Sequence, residues 1–167
     1  TWGSEVNDLE TYPARLQDIL QVPVTNASYG GWGTDQMWLR LQDVATSENP
    51  SLIILSPLSN DVLRNAFRRY GRAFKPYFEL VNGALMLRNT PVPRNSSHSE
   101  DVGVLQSWFG RFYFVTFASR MLGIEEIWIN RNRLNDRVHS NEDAVEIACR
   151  LLREVVDYGD EKGIPIV

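Results

Sequence analysis

A chain of 167 residues is long enough to bury a core and short enough for one domain, and its 43% hydrophobic and 23% charged residues suit an ordinary folded protein. Its 17 Lys and Arg against 21 Asp and Glu leave a net charge of −4, which gives no global reason to expect a nucleic-acid partner. The single cysteine, Cys149, excludes an intrachain disulfide and a cysteine metal cluster, the two histidines form no ligand cluster, and no run of 18 apolar residues supplies a membrane span.

Leu9 to Leu20 reads as an amphipathic helix capped by Asn7 or Asp8, with Leu9, Tyr12, Leu16, Ile19 and Leu20 on one face and Pro13 in its first turn. A short β-branched run, Val22 to Thr25, then meets Asn26 and three glycines, Gly30, Gly31 and Gly33. Thr34 or Asp35 caps a second helix over Gln36 to Val44. Strand, Gly-rich loop and helix in this order present bare backbone N–H groups where α/β proteins place ligands. Two readings of the loop stand open: a turn that needs glycine for its geometry, and a ligand site.

Ser51 to Leu55 is a continuous apolar run, as expected of a strand buried on both faces, and it ends in the polar loop Ser56 to Asp61. Leu63 to Tyr77 reads as a basic helix whose Arg64, Arg68, Arg69, Arg72 and Lys75 form a solvated face. Phe78 to Arg88 is a hairpin turning at Asn82-Gly83, followed by a Pro- and Ser-rich loop. Val102 to Leu122 is aromatic-rich and reads as a core-packed helix, and Ile124 to Asn130 as extended chain. Asn141 to Tyr158 is a helix in which Cys149 is expected to be a buried structural thiol, and Ile164 to Val167 starts another strand.

Strands alternating with helices predict an α/β protein, three layers α/β/α around a mostly parallel, flavodoxin-like sheet that the chain leaves incomplete. The expectation is a single domain over 1–167 with a hairpin and loop insertion near 78–100. The loops at Asn26–Gly33 and Ser56–Asp61 both follow strands and are expected side by side at one sheet edge.

On those loops the sequence resembles the SGNH (GDSL-type) hydrolases. Asn26-Ala-Ser-Tyr-Gly-Gly31 resembles the family's second block, with Gly31 in place of the glycine that donates its N–H to the oxyanion hole. Ser59-Asn60-Asp61 resembles the third block, with Asn60 as the side-chain donor, although Leu58 stands where Gly is usual. Glu10 to Leu16 is similar to the family's first helix, and Lys75 through Pro93 to a subset with an inserted hairpin. Thr1-Trp-Gly resembles the residues just after the Gly-Asp-Ser nucleophile block, which the alignment places before residue 1. Ser4 follows a glycine but lacks the preceding Asp and strand. Asp136-Arg-Val-His139 matches the last block literally, while the apolar run at Ile164 places the true block beyond residue 167; both placements stand open.

The resemblance implies a serine-type hydrolase of an acyl or acetyl ester of a carbohydrate or lipid. Gly31 and Asn60 would be the oxyanion donors, His139 and Asp136 the catalytic pair, and Asn26 and Asp61 loop supports. The alternative is a catalytically incompetent binding or scaffold module on the same edge. No cofactor, metal or nucleic acid is expected; the partner is a small-molecule ester. The chain is expected to be soluble, in the cytoplasm or secreted after loss of a leader, with the compartment and oligomeric state undetermined.

Overall fold

The computed structural model describes residues 6–71, 73–93, 117–118, 121–122 and 135–167. The expected segments at Val102 to Leu122, in the main, and at Ile124 to Asn130 lie outside them. The chain divides into two compact units, the first Thr1–Ala66, Tyr77–Arg88 and His139–Val167, the second Phe67–Pro76 and Asn89–Val138.

In the first unit a 3-10 turn at Asp8–Glu10 leads into helix α1, Tyr12–Leu20. Thr11 is the cap, its Oγ1 accepting from Ala14 N–H at 3.4 Å, and Pro13 occupies the first turn where it needs no N–H. The face expected to be apolar and covered is open: Leu9, Tyr12, Ile19 and Leu20 are exposed. Helix α2, Thr34–Glu48, starts directly after Gly33. Helix α3 is the short Ser59–Leu63, continued by a 3-10 turn over Arg64–Ala66.

Strands β3, Tyr77–Val81, and β4, Ala84–Arg88, pair antiparallel in full register from Tyr77–Arg88 to Val81–Ala84. The turn at Asn82-Gly83 has positive φ at both residues, the backbone that joins two twisted strands most directly. Helix α4, Asn141–Lys162, closes the unit. Its buried residues Ala144, Ile147, Ala148, Leu151 and Val155 recur every three or four positions and so form one stripe. That stripe meets Trp38, Leu41 and Ala45 of α2 and Phe78 of β3 in the core. Cys149 falls off the stripe and is exposed, so the expectation of a buried thiol is corrected.

Ser140 caps α4: its hydroxyl accepts from Asp143 N–H at 3.0 Å and donates to the Asp143 carboxylate at 2.8 Å. The Ser140 hydroxyl, then its backbone N–H, hold the Asp143 carboxyl below the usual aspartate range, helped by the nearby His139. Ser140→Ala is expected to destabilise the fold by about 0.5–2 kcal/mol in urea unfolding. A depressed folded value stabilises above the unfolded value of about 3.9 and loses that contribution as pH falls through the folded one. NMR titration of the Asp143 carboxyl should therefore show its value rising in Ser140→Ala.

In the second unit β1, Phe67–Tyr70, pairs antiparallel with β2, Ala73–Phe74, and with β5, Asp136–Arg137. The turn between β1 and β2 passes through Gly71. The basic helix expected over Leu63 to Tyr77 does not form. Phe67, Tyr70 and Phe74 are strand-forming aromatics, and the arginines lie on them: Arg69 over Phe74 at 5.5 Å, and Arg137 over Phe67 at 5.7 Å. Arg68 Nε donates to Asp136 at 2.6 Å.

The mostly parallel three-layer sheet is likewise overturned. The described residues hold four α-helices and two small antiparallel sheets, of three and two strands. β1–β2 and β3–β4 are joined by tight turns, which suit antiparallel pairs; a parallel pair needs a long crossover. Among the described residues parallel pairing survives as a bridge between Ile53 and Ile166, with Leu55 N–H donating to the Val167 carbonyl at 2.8 Å. The run expected to be buried on both faces leaves Leu52 and Ile54 exposed, so among the described residues one face has no covering layer. Val22 is a bend and residues 23–25 carry no regular structure, so the expected strand does not form among the described residues.

Candidate functional site

The Gly-rich loop and the Ser59–Asp61 turn, both in the first unit, are tied together by side chains that follow α3. Asp61 accepts from Leu58 N–H at 2.8 Å, closing the first turn of α3. The same carboxylate takes an ion pair from Arg64, three residues on. Arg64 Nη1 also donates to the carbonyl of Trp32 at 3.1 Å. One carboxylate–guanidinium pair thus holds the backbone at Trp32 and at Leu58. Each of those residues lies within two positions of a predicted donor.

Asn65 makes a second tie. It is 1% exposed, and its amide donates to Thr34 Oγ1 at 2.6 Å and to the Ala144 carbonyl at 3.4 Å. Its oxygen accepts from Asp35 N–H at 3.2 Å. The start of α2, the turn after α3 and the start of α4 therefore meet on one buried side chain. Asp35 is fully buried, and its Oδ1 accepts from Gln36 N–H at 2.8 Å. A carboxylate in the first turn of α2 sits at the positive end of the helix dipole.

The two loops touch at Gly33. A Cβ there would lie 2.7 Å from Asp35 Oδ1, 3.0 Å from Asn65 Oδ1 and 3.1 Å from the Asp61 carbonyl. Two of the three neighbours are fixed by the contacts above. Gly33→Ala is therefore expected to destabilise the protein by about 1–3 kcal/mol, measured by urea unfolding.

Gly31 is a different case. Its φ of +86° lies in the left-handed region, and a Cβ would meet nothing within 4 Å. Its N–H donates to no group among the described residues, nor does the exposed side-chain amide of Asn60 at the second position of α3. Asn26 bends the start of the loop by accepting from Ser28 N–H at 3.2 Å. Tyr29 and Trp32 stack across the glycines with ring centroids 5.2 Å apart.

The predicted acid–base pair has other partners. Asp136 lies on β5 in the second unit, paired with Arg68. His139 lies in the first unit, where a ring nitrogen sits 2.9 Å from the Phe78 carbonyl and the ring packs edge-on to Tyr77. Ser4 and Thr1 lie outside the described residues. Among the described residues no group of three or more His, Cys, Asp or Glu is placed to hold a metal ion, and no helix is long and apolar enough to cross a membrane.

Arg64, Asn65 and Gly33 were not singled out from the sequence for these roles. The one available signal was the three-residue spacing of Asp61 and Arg64, which on a helix brings opposite charges together. A groove of about 540 Å³ lies between α2, the hairpin and α4, lined by residues that include Trp38, Phe78, Arg153 and Asp157; neither Gly31 nor Asn60 lines it. Comparison with family models, curated proteins and solved structures found no match to the chain.

Proposed function

We propose that this chain carries the oxyanion-binding half of a serine-type ester hydrolase, with the Gly31 N–H and the Asn60 amide as its donors. The observation that supports it is that neither N–H group has a partner among the described residues while the Asp61–Arg64 pair holds their loops together. Ester hydrolysis builds negative charge on the carbonyl oxygen. Neutral donors fixed in advance stabilise that charge without reorganising. Glycine leaves the backbone open to the substrate, and asparagine donates without bringing a charge of its own.

The resemblance implies an attacking serine in a Gly-Asp-Ser block, which the 167 residues do not contain. Asp136 and His139, the pair the resemblance implies as acid and base, are held by Arg68 and by the Phe78 carbonyl. Those partners favour a second reading, a non-catalytic module that holds an ester or carboxylate on the same two donors.

The experiment is hydrolysis of p-nitrophenyl butyrate by the protein extended upstream of Thr1 to hold the serine block, followed with labelling by a fluorophosphonate. Turnover with a labelled serine supports the hydrolase. Binding of butyrate without turnover or label supports the module. Neither turnover nor binding would remove both readings.

A further inference from the structure

Apolar side chains that the fold leaves in water stand close in the chain to both donors. Tyr29 is 59% exposed and Leu58 is 69% exposed, each two residues from a donor. Trp32, next to Gly31, is half-buried and stacks with Tyr29 at an interplanar angle of 28°. Leu58 and Trp32 are anchored through their backbones by the same Asp61–Arg64 pair, which holds the two segments at one place. None of the three side chains belongs to the core that α2, β3 and α4 share. The two carboxylates nearest the donors are turned inward: Asp61 is buried on Leu58 and Arg64, and Asp35 is buried in the α2 terminus.

Glycine at position 31 keeps the backbone N–H open, while the bulk is supplied one and two residues away on either side. Such an arrangement admits a planar carbonyl or tetrahedral oxyanion to the donors and lays whatever is attached to it against Tyr29, Trp32 and Leu58. An acetyl group would leave that surface wet. A chain of several methylenes, or an aromatic acyl group, would cover it and be held by the removal of apolar area from water.

The geometry points to an apolar acyl subsite formed by Tyr29, Trp32 and Leu58 beside the Gly31 and Asn60 donors, selecting medium-chain or aromatic acyl groups over acetyl. This rests on the oxyanion reading of the two donors, and the test separates them. Methylphosphonate and hexylphosphonate present the same tetrahedral anion with different tails. Isothermal titration calorimetry on the 167-residue chain measures both.

Hexylphosphonate is expected to bind at least about tenfold more tightly than methylphosphonate, since each buried methylene contributes several-fold in affinity. Leu58→Ala and Tyr29→Ala should each reduce that ratio by about threefold or more. Equal dissociation constants for the two anions, or a ratio untouched by both substitutions, would overturn the subsite. Binding of neither anion would overturn it together with the oxyanion reading. A retained chain-length ratio with no effect of Asn60→Ala on methylphosphonate would overturn the donor assignment and leave the subsite standing.

Discussion

Asn65→Ala is expected to be the most destabilising single truncation near the candidate site, lowering unfolding free energy by about 2–4 kcal/mol. The side chain is 1% exposed and bonds Thr34, Asp35 and Ala144, three groups on two helices far apart in sequence. Alanine removes those bonds and leaves the Asp35 N–H inside with no acceptor from position 65. An abandoned buried polar group is worth about 1–3 kcal/mol, more than the bond itself contributes, because water cannot replace the lost partner. The cavity left by the amide adds to that. Urea unfolding followed by tryptophan fluorescence measures it. A loss below about 0.5 kcal/mol would mean that water reaches the site and that Asn65 does not join the helices.

Asn60→Ala is expected to do the opposite: little to stability, much to rate. The side chain is exposed and bonds nothing among the described residues, so the fold should change by less than about 0.5 kcal/mol. Removal of one oxyanion donor lowers kcat by about 10²–10³ in hydrolases of this chemistry, because the lost bond exists chiefly in the transition state. In the protein extended upstream of Thr1 to hold the serine block, the loss on p-nitrophenyl butyrate should appear in kcat with KM nearly unchanged. A change confined to KM would make Asn60 an ordinary binding contact, and no change in either would remove it from the site.

Where local chemistry decides the structure, the sequence was readable. The Asn82-Gly83 turn forces a hairpin through its own backbone preference, and the stripe from Ala144 to Val155 needs only helix periodicity. The two loops do lie beside each other at Gly33, but the expected reason, a shared edge of a parallel sheet, does not hold. The sheet was not readable. Apolar runs at Val22 to Thr25 and Ser51 to Leu55 look like strands whether or not a partner strand lies alongside, and pairing is a long-range property. The arginines at 64, 68, 69 and 72 mimic a helix face, while the aromatics at 67, 70 and 74 decide for the strand. The Arg64 and Asn65 contacts reach across about thirty residues to the Gly-rich loop, a distance over which no spacing rule speaks.

The central claim is that Gly31 and Asn60 act on one oxygen. Its most direct test is a ¹⁵N NMR titration of the chain with methylphosphonate, following the Gly31 backbone amide and the Asn60 side-chain amide. The account predicts that both signals move downfield and saturate with a single dissociation constant, and that Asn60→Ala weakens the response at Gly31. Movement of only one signal, or two independent constants, would contradict it.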